Sequence, residues 1–163
     1  AIATTPGRVK SIRLEPEYPA MCHETLQAIE QADVIVMGPG SWFTSVINHV
    51  VLPEMAQALR QSPARKLLVA NLSSQVGETE GFTASEHLDT LALLGGGLTF
   101  DAVFVEESLL EPSLEASAQK LGAQVVSAQL ADRLDPKVHN PRALAQAVAQ
   151  FLQGESHGHD ISA

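Results

Sequence analysis

Two short stretches of this chain combine residue types able to hold a ligand. The first is Gly38-Pro39-Gly40-Ser41-Trp42-Phe43-Thr44-Ser45. Glycine lets a ligand approach the backbone closely and proline stiffens the turn. Ser41, Thr44 and Ser45 add hydroxyls where a helix is expected to begin. Free N–H groups at a helix start, with the helix dipole, favour phosphate. A tight strand-to-helix turn with a hydroxyl cap and no ligand would need the same glycines. The three hydroxyls favour the anion site. Trp42 and Phe43 are adjacent aromatics, and packing against a core suits them better than stacking on a base.

The second stretch runs Asn71-Leu72-Ser73-Ser74-Gln75-Val76-Gly77-Glu78-Thr79-Glu80-Gly81-Phe82-Thr83. It is dense in amides, hydroxyls and carboxylates directly after an apolar run. A solvated surface loop would show the same composition. Asn71, however, stands at a strand end, where a side chain faces a crevice. Gln75, Glu78 and Thr79 offer hydrogen bonds to a sugar, a base or a metal-bound water, with Gly77 between them. Glu78 and Glu80 lack a metal-ligand spacing, so no protein metal cage is expected. The six histidines form no zinc pattern with cysteine. No Gly-x-Ser-x-Gly elbow, Walker lysine or Cys-x-x-Cys pair occurs.

The elements that must position these stretches follow from periodicity. Arg8–Leu14 reads as a patchy strand. Asp33–Met37, Lys66–Ala70 and Ala102–Val105 are continuous apolar runs, the pattern of strands buried on both faces. Gln124–Val126 is a shorter strand. Helices are expected at His23–Ala32, from Pro53 through Leu59, from a Thr83 or Ser85 cap to Leu94, at Leu114–Leu121 and at Pro141–Leu152. Regular alternation predicts an α/β fold, a Rossmann-like open parallel sheet with helices on both faces. Residues 1–153 are expected to form one domain and residues 154–163 a flexible tail. In such sheets ligands sit at the carboxyl ends of strands, where both loops fall.

Bulk composition narrows the function classes. Ten basic against 19 acidic residues give a net charge of −9, which disfavours nucleic acid as a partner. Cys22 is the single cysteine, so no internal disulfide forms and a reducing, cytoplasmic compartment is expected. Cys22 itself reads as a small, partly buried thiol rather than a nucleophile. No apolar run approaches the length of a membrane span and no signal-peptide pattern leads the sequence. The start at Ala1 suggests a processed or cut chain.

At the two loops the chain resembles a known family. ADVIVMGPGSWFTSVINHVVLPEMAQAL (Ala32 to Leu59) and LLVANLSSQVGETEGFTASEHLDTL (Leu67 to Leu91) are similar to the CofD-like superfamily. The closer branch is that of the YvcK-like gluconeogenesis factors, also called morphogen proteins. The match extends more weakly over Arg8–Leu14 and to the last helix. The family's N-terminal half, with its Gly-Gly-Gly-Thr-Gly phosphate loop and Asp-rich segment, has no counterpart here. The resemblance therefore implies a C-terminal half, expected to associate with the missing half or with another copy as a homo-oligomer.

The YvcK-like branch implies binding of a UDP-sugar such as UDP-N-acetylglucosamine, without a settled reaction, in support of cell shape and cell-wall synthesis during gluconeogenic growth. The CofD branch implies instead a 2-phospholactate or phosphoenolpyruvate transferase of deazaflavin coenzyme synthesis, acting with magnesium. Gln75-Val76-Gly77-Glu78-Thr79 fits the YvcK-like branch better, so a non-catalytic nucleotide-sugar-binding protein needing no cofactor is expected. An interaction module without a small ligand is the third alternative. The expected ligand-binding residues are Gly38, Pro39, Gly40, Ser41, Thr44, Ser45, Asn71, Gln75, Gly77, Glu78 and Thr79.

Overall fold

The computed structural model describes Glu15, residues 19–75 and residues 77–156. The strand expected at Arg8–Leu14, and His157 and His159 of the expected tail, lie outside the described residues. Four strands form one sheet: β1 (Val34–Met37), β2 (Arg65–Val69), β3 (Ala102–Glu106) and β4 (Gln124–Ala128). They lie side by side in sequence order, every pairing parallel. Met37 sits opposite Leu68, and Leu68 opposite Val103. The expected parallel pairing is thus present, and Gly38 and Asn71 follow β1 and β2 at the same sheet edge.

Between the strands run α2 (Asn48–Val51), α3 (Pro53–Gln61), α4 (Ala84–Leu94) and α5 (Leu114–Gln119). The first helix, α1 (His23–Gln31), precedes β1 and packs on α3. Successive crossovers of one hand that always step the same way must land on one face of the sheet. Met55 and Leu59 of α3, Leu88 and Leu91 of α4, and Leu114 and Ala118 of α5 indeed share one core with Leu68, Val103 and Val105. The opposite face is covered by α6 (Pro141–Ser156). Its Ala147 packs with Leu67, Val69, Ala102 and Phe104, and Phe151 meets Phe104 edge to face at 5.8 Å. Both faces of Leu67–Val69 and of Ala102–Val105 are therefore dry, which is why those stretches carry no polar alternation.

Local signals set most element ends. Pro53 opens α3, where its missing N–H costs nothing. Thr83, not Ser85, caps α4: its hydroxyl accepts from Glu86 N while the Glu86 carboxylate accepts from Thr83 N. Ser85 lies inside the first turn and hydrogen-bonds Ser113. Two departures from the sequence reading have simple causes. Helix α6 continues through Gly154 to Ser156, because Gly154 adopts no positive φ and extending a formed helix asks only one hydrogen bond per residue. Cys22 is exposed rather than partly buried, and its thiol donates to Glu24 at 2.7 Å.

Strand β1 is an edge of the described sheet, and Val36 on it is half exposed. Strand β4 is the other edge. After it the chain turns back as a tongue: Asp132 N donates to Val138 O and Asn140 N to Leu130 O, each at 2.7 Å. The Glu106 carboxylate, at the end of β3, accepts from Leu130 N and Ala131 N at 2.6 and 2.7 Å. That grip aims the tongue across the carboxyl ends of the strands.

Candidate functional site

Gly38 makes the first loop possible. Its φ of +75° is a left-handed conformation, and a Cβ there would stand 2.6 Å from Val69 O. Only a residue without a side chain lets the end of β1 lie this close to the end of β2. The Gly38–Pro39 peptide is cis. Beyond Gly40, a π-helical turn spans Trp42–Val46. Ser41 caps it, accepting from Thr44 N at 3.2 Å and sharing a short hydroxyl–hydroxyl contact with Thr44. Trp42 and Phe43 are buried under the turn, as core packing requires.

The second loop is joined to the first by side chains. Asn71 accepts from Gly40 N at 3.0 Å and donates to Gly40 O at 2.8 Å, so its amide acts as one more peptide rung beyond the strand ends. Gln75 accepts from Trp42 N at 2.8 Å. Ser41 Oγ lies 2.8 and 2.7 Å from the two carboxylate oxygens of Glu78, which accept its hydrogen. Glu78 and Thr79 are buried, with Thr79 Oγ1 accepting from Gln75 N at 2.9 Å. Gly77, at φ +80°, turns the chain so that this happens.

The expected residues thus divide by role. Gly38, Ser41, Gly77, Glu78 and Thr79 form a frame that binds the loops together. Pro39, Gly40, Asn71 and Gln75 wall an open hollow of about 260 Å³. Thr44 and Ser45 are exposed beside the turn. The N–H groups of Gly40, Trp42 and Thr44, expected to face an anion, are taken by Asn71, Gln75 and Ser41 in this structure.

The structure adds residues that loop composition did not single out. Lys137 and His139, on the tongue, complete the walls of that hollow. A second hollow, of about 210 Å³, adjoins it through the shared residues Asn71 and Ser73 and is walled further by Phe82, Thr83, His87 and Glu111. Two roomier hollows lie elsewhere. One is lined by α1 and α3; the other includes Ala64, Asp101 and Gln124, at the amino ends of the strands, away from both loops.

Electrostatics differ between the two walls. His87 is only 4% exposed and lies between Trp42 and Phe82, with ring centroids 4.7 and 5.5 Å away. Burial pushes its pKa down to about 4, against a smaller opposing pull from Glu86, so the ring is neutral near pH 7. Burial also lowers His139, against a hydrogen bond to Ala70 and the charge of Glu106. The Nε2 atoms of His87 and His139 are buried without a hydrogen-bond partner. Such a group costs about 1–3 kcal/mol until something satisfies it. For Glu111, burial opposes the charge, yet hydrogen bonds from Ser85 and Thr83 outweigh it and hold the carboxyl below its usual range. Among the described residues no cluster of three or more His, Cys, Asp or Glu is placed to hold a metal, and no helix is long and apolar enough to cross a membrane.

Known proteins resemble this chain in sequence and fold. A family model described as 2-phospho-L-lactate transferase CofD matches residues 1–145. A Mycobacterium tuberculosis protein named "Putative gluconeogenesis factor" is 44% identical over 150 residues, which is 89% of this chain and 44% of that protein. The "Gluconeogenesis factor" of Halalkalibacterium halodurans is 37% identical over 119 residues, 73% of this chain and 37% of that protein. A crystal structure of a Bacillus halodurans protein matches with a TM-score of 0.78 at 30% identity, covering 91% of this chain and 53% of that one. The chain spans about half or less of the length of these proteins.

Proposed function

The chain belongs to the CofD family, and on that premise we propose that it contributes one wall of a nucleotide-sugar site, with UDP-N-acetylglucosamine as the ligand class. The observation that carries the reading is the joined pair of loops at the carboxyl ends of β1 and β2. A glycine turn there lies against an amide- and hydroxyl-rich loop around an open hollow. Ligands of parallel α/β sheets bind at this end. The similarity to proteins named gluconeogenesis factors supports the same direction. The protein acts by binding rather than turnover, in the cytoplasm, as a regulator of cell shape and cell-wall synthesis during gluconeogenic growth. The remainder of the site comes from the further length that the relatives carry, or from another copy.

Under the alternative of a CofD-branch transferase the reaction would use magnesium; among the described residues no group of three or more His, Cys, Asp or Glu is placed to hold such an ion. Calorimetric titration of the full-length protein with UDP-N-acetylglucosamine tests the proposal, with saturable binding as the expected result. Absence of binding refutes it in favour of an interaction module. Transfer of a phospholactate group to a deazaflavin acceptor would overturn the non-catalytic part.

A further inference from the structure

The two adjoining hollows have opposite electrical character. Of the residues lining them, only Lys137 and Glu111 carry a formal charge. Lys137 stands at the hollow of Pro39, Gly40 and Gln75, on a tongue fixed by the Glu106 carboxylate. Among the described residues its ammonium makes no ion pair. Glu111 stands at the other hollow, with Phe82, Thr83 and the neutral His87. Asn71 and Ser73 line both. Neither ligand loop carries a cation of its own; Glu78 and Glu80 are their charged residues. A phosphate placed on those loops alone would find no cation.

Taking the nucleotide-sugar reading as its premise, we propose that the site has a fixed direction, with the ligand's phosphates over Gly40 beside Lys137 and its sugar in the Glu111 hollow. Each part meets the chemistry that recognises it. An ammonium with three donors suits phosphate oxygens. A carboxylate accepts hydrogen bonds from sugar hydroxyls, Ser73 and Thr83 exchange them, and the Phe82 ring offers an apolar surface to the sugar's C–H groups. Size agrees. Either hollow alone, about 260 or 210 Å³, is smaller than the roughly 300–1,000 Å³ of a ligand pocket, and the two lie side by side with Asn71 and Ser73 in both walls. Lys137 is therefore the phosphate-binding cation, and Glu111 separates a nucleotide sugar from the bare nucleotide.

The test is titration of the full-length protein and two variants, Lys137→Met and Glu111→Gln, with UDP and with UDP-N-acetylglucosamine. Gln keeps an acceptor for Ser85 N, so the start of α4 is preserved. Lys137→Met is expected to weaken both ligands alike, by about tenfold, and to flatten the salt dependence of binding. Glu111→Gln is expected to weaken UDP-N-acetylglucosamine by about five- to tenfold and leave UDP unchanged. If Lys137→Met binds both as the wild type does, or Glu111→Gln weakens UDP equally, the direction is wrong although the site stands. A wild type that binds neither ligand removes the nucleotide-sugar reading, and this orientation with it.

Discussion

Replacing His87 by leucine should change how stability depends on pH more than how much stability there is. The imidazole is 4% exposed, between Trp42 and Phe82, and its Nε2 has no partner. Its folded-state pKa is about 4, against an ordinary 6.5. Between those values the unfolded chain takes up a proton at His87 that the folded chain refuses. The unfolded state thus binds more protons, and stability rises with pH across this window. His87 carries no penalty above pH 6.5, and the penalty is complete below pH 4. With one pKa unit worth about 1.4 kcal/mol, the full window amounts to about 3 kcal/mol, of which about 2 kcal/mol is already lost at pH 5. The assay is urea unfolding of the wild type and His87→Leu at pH 7.5, 6 and 5. Other groups titrate in both proteins and cancel in the difference. Wild type should lose about 2 kcal/mol more than the variant between pH 7.5 and 5. A difference that stays constant with pH would show that His87 is not held neutral by burial.

Other substitutions probe the frame. Gly38→Ala forces a left-handed residue with a side chain, at about 1–2 kcal/mol, and drives its Cβ towards Val69 O, so the urea midpoint should fall clearly; an unchanged midpoint refutes the close approach. Ser41→Ala removes the hydroxyl that serves the buried Glu78 carboxylate and should cost about 1.5–3 kcal/mol of unfolding free energy. Combined with Thr44→Ala it should also weaken UDP-N-acetylglucosamine binding in the full-length protein, and full affinity in the folded double variant would exclude both hydroxyls from the site. Asn71→Asp keeps the acceptor for Gly40 N but turns the donor to Gly40 O into a second acceptor; a lowered thermal midpoint is expected, and an unaltered one would mean that the side-chain rung contributes nothing.

The sequence was most legible where burial on two faces leaves one solution. Leu67–Val69 and Ala102–Val105 carry apolar residues at every position, so their place inside a parallel sheet follows from composition. Hydroxyls at Ser41 and at Thr83 or Ser85 offered caps through local chemistry, and the structure uses Ser41 and Thr83. Asn71 at a strand end was legible as a residue facing the crevice; that it would spend its amide on Gly40 was not, because that partner is a backbone 31 residues away. Glu78 reads in the sequence as a carboxylate offered to a sugar, a base or a metal-bound water; no local rule predicts its burial beneath Ser41. Lys137 and His139 lie far along the chain from both loops in an unremarkable Asp-Pro-Lys stretch. They reach the hollow only because Glu106 holds the base of the tongue. Short elements also escaped: Asn48–Val51 forms a single turn, too brief for a 3.6-residue period to register.

The Asn71 rung has a dynamic consequence. A side-chain amide that exchanges both hydrogen bonds with Gly40 joins two loops that are otherwise separate excursions of the chain. With the Gln75–Trp42 and Ser41–Glu78 bonds it makes them open as one cooperative unit. Amide hydrogens on either loop should therefore exchange with solvent through a shared opening event, at one common free energy. Any molecule that settles against Gly40 alone would slow exchange at Thr79 as well, without touching it. Protection that spreads across both loops would then report the joint rather than the footprint of the ligand.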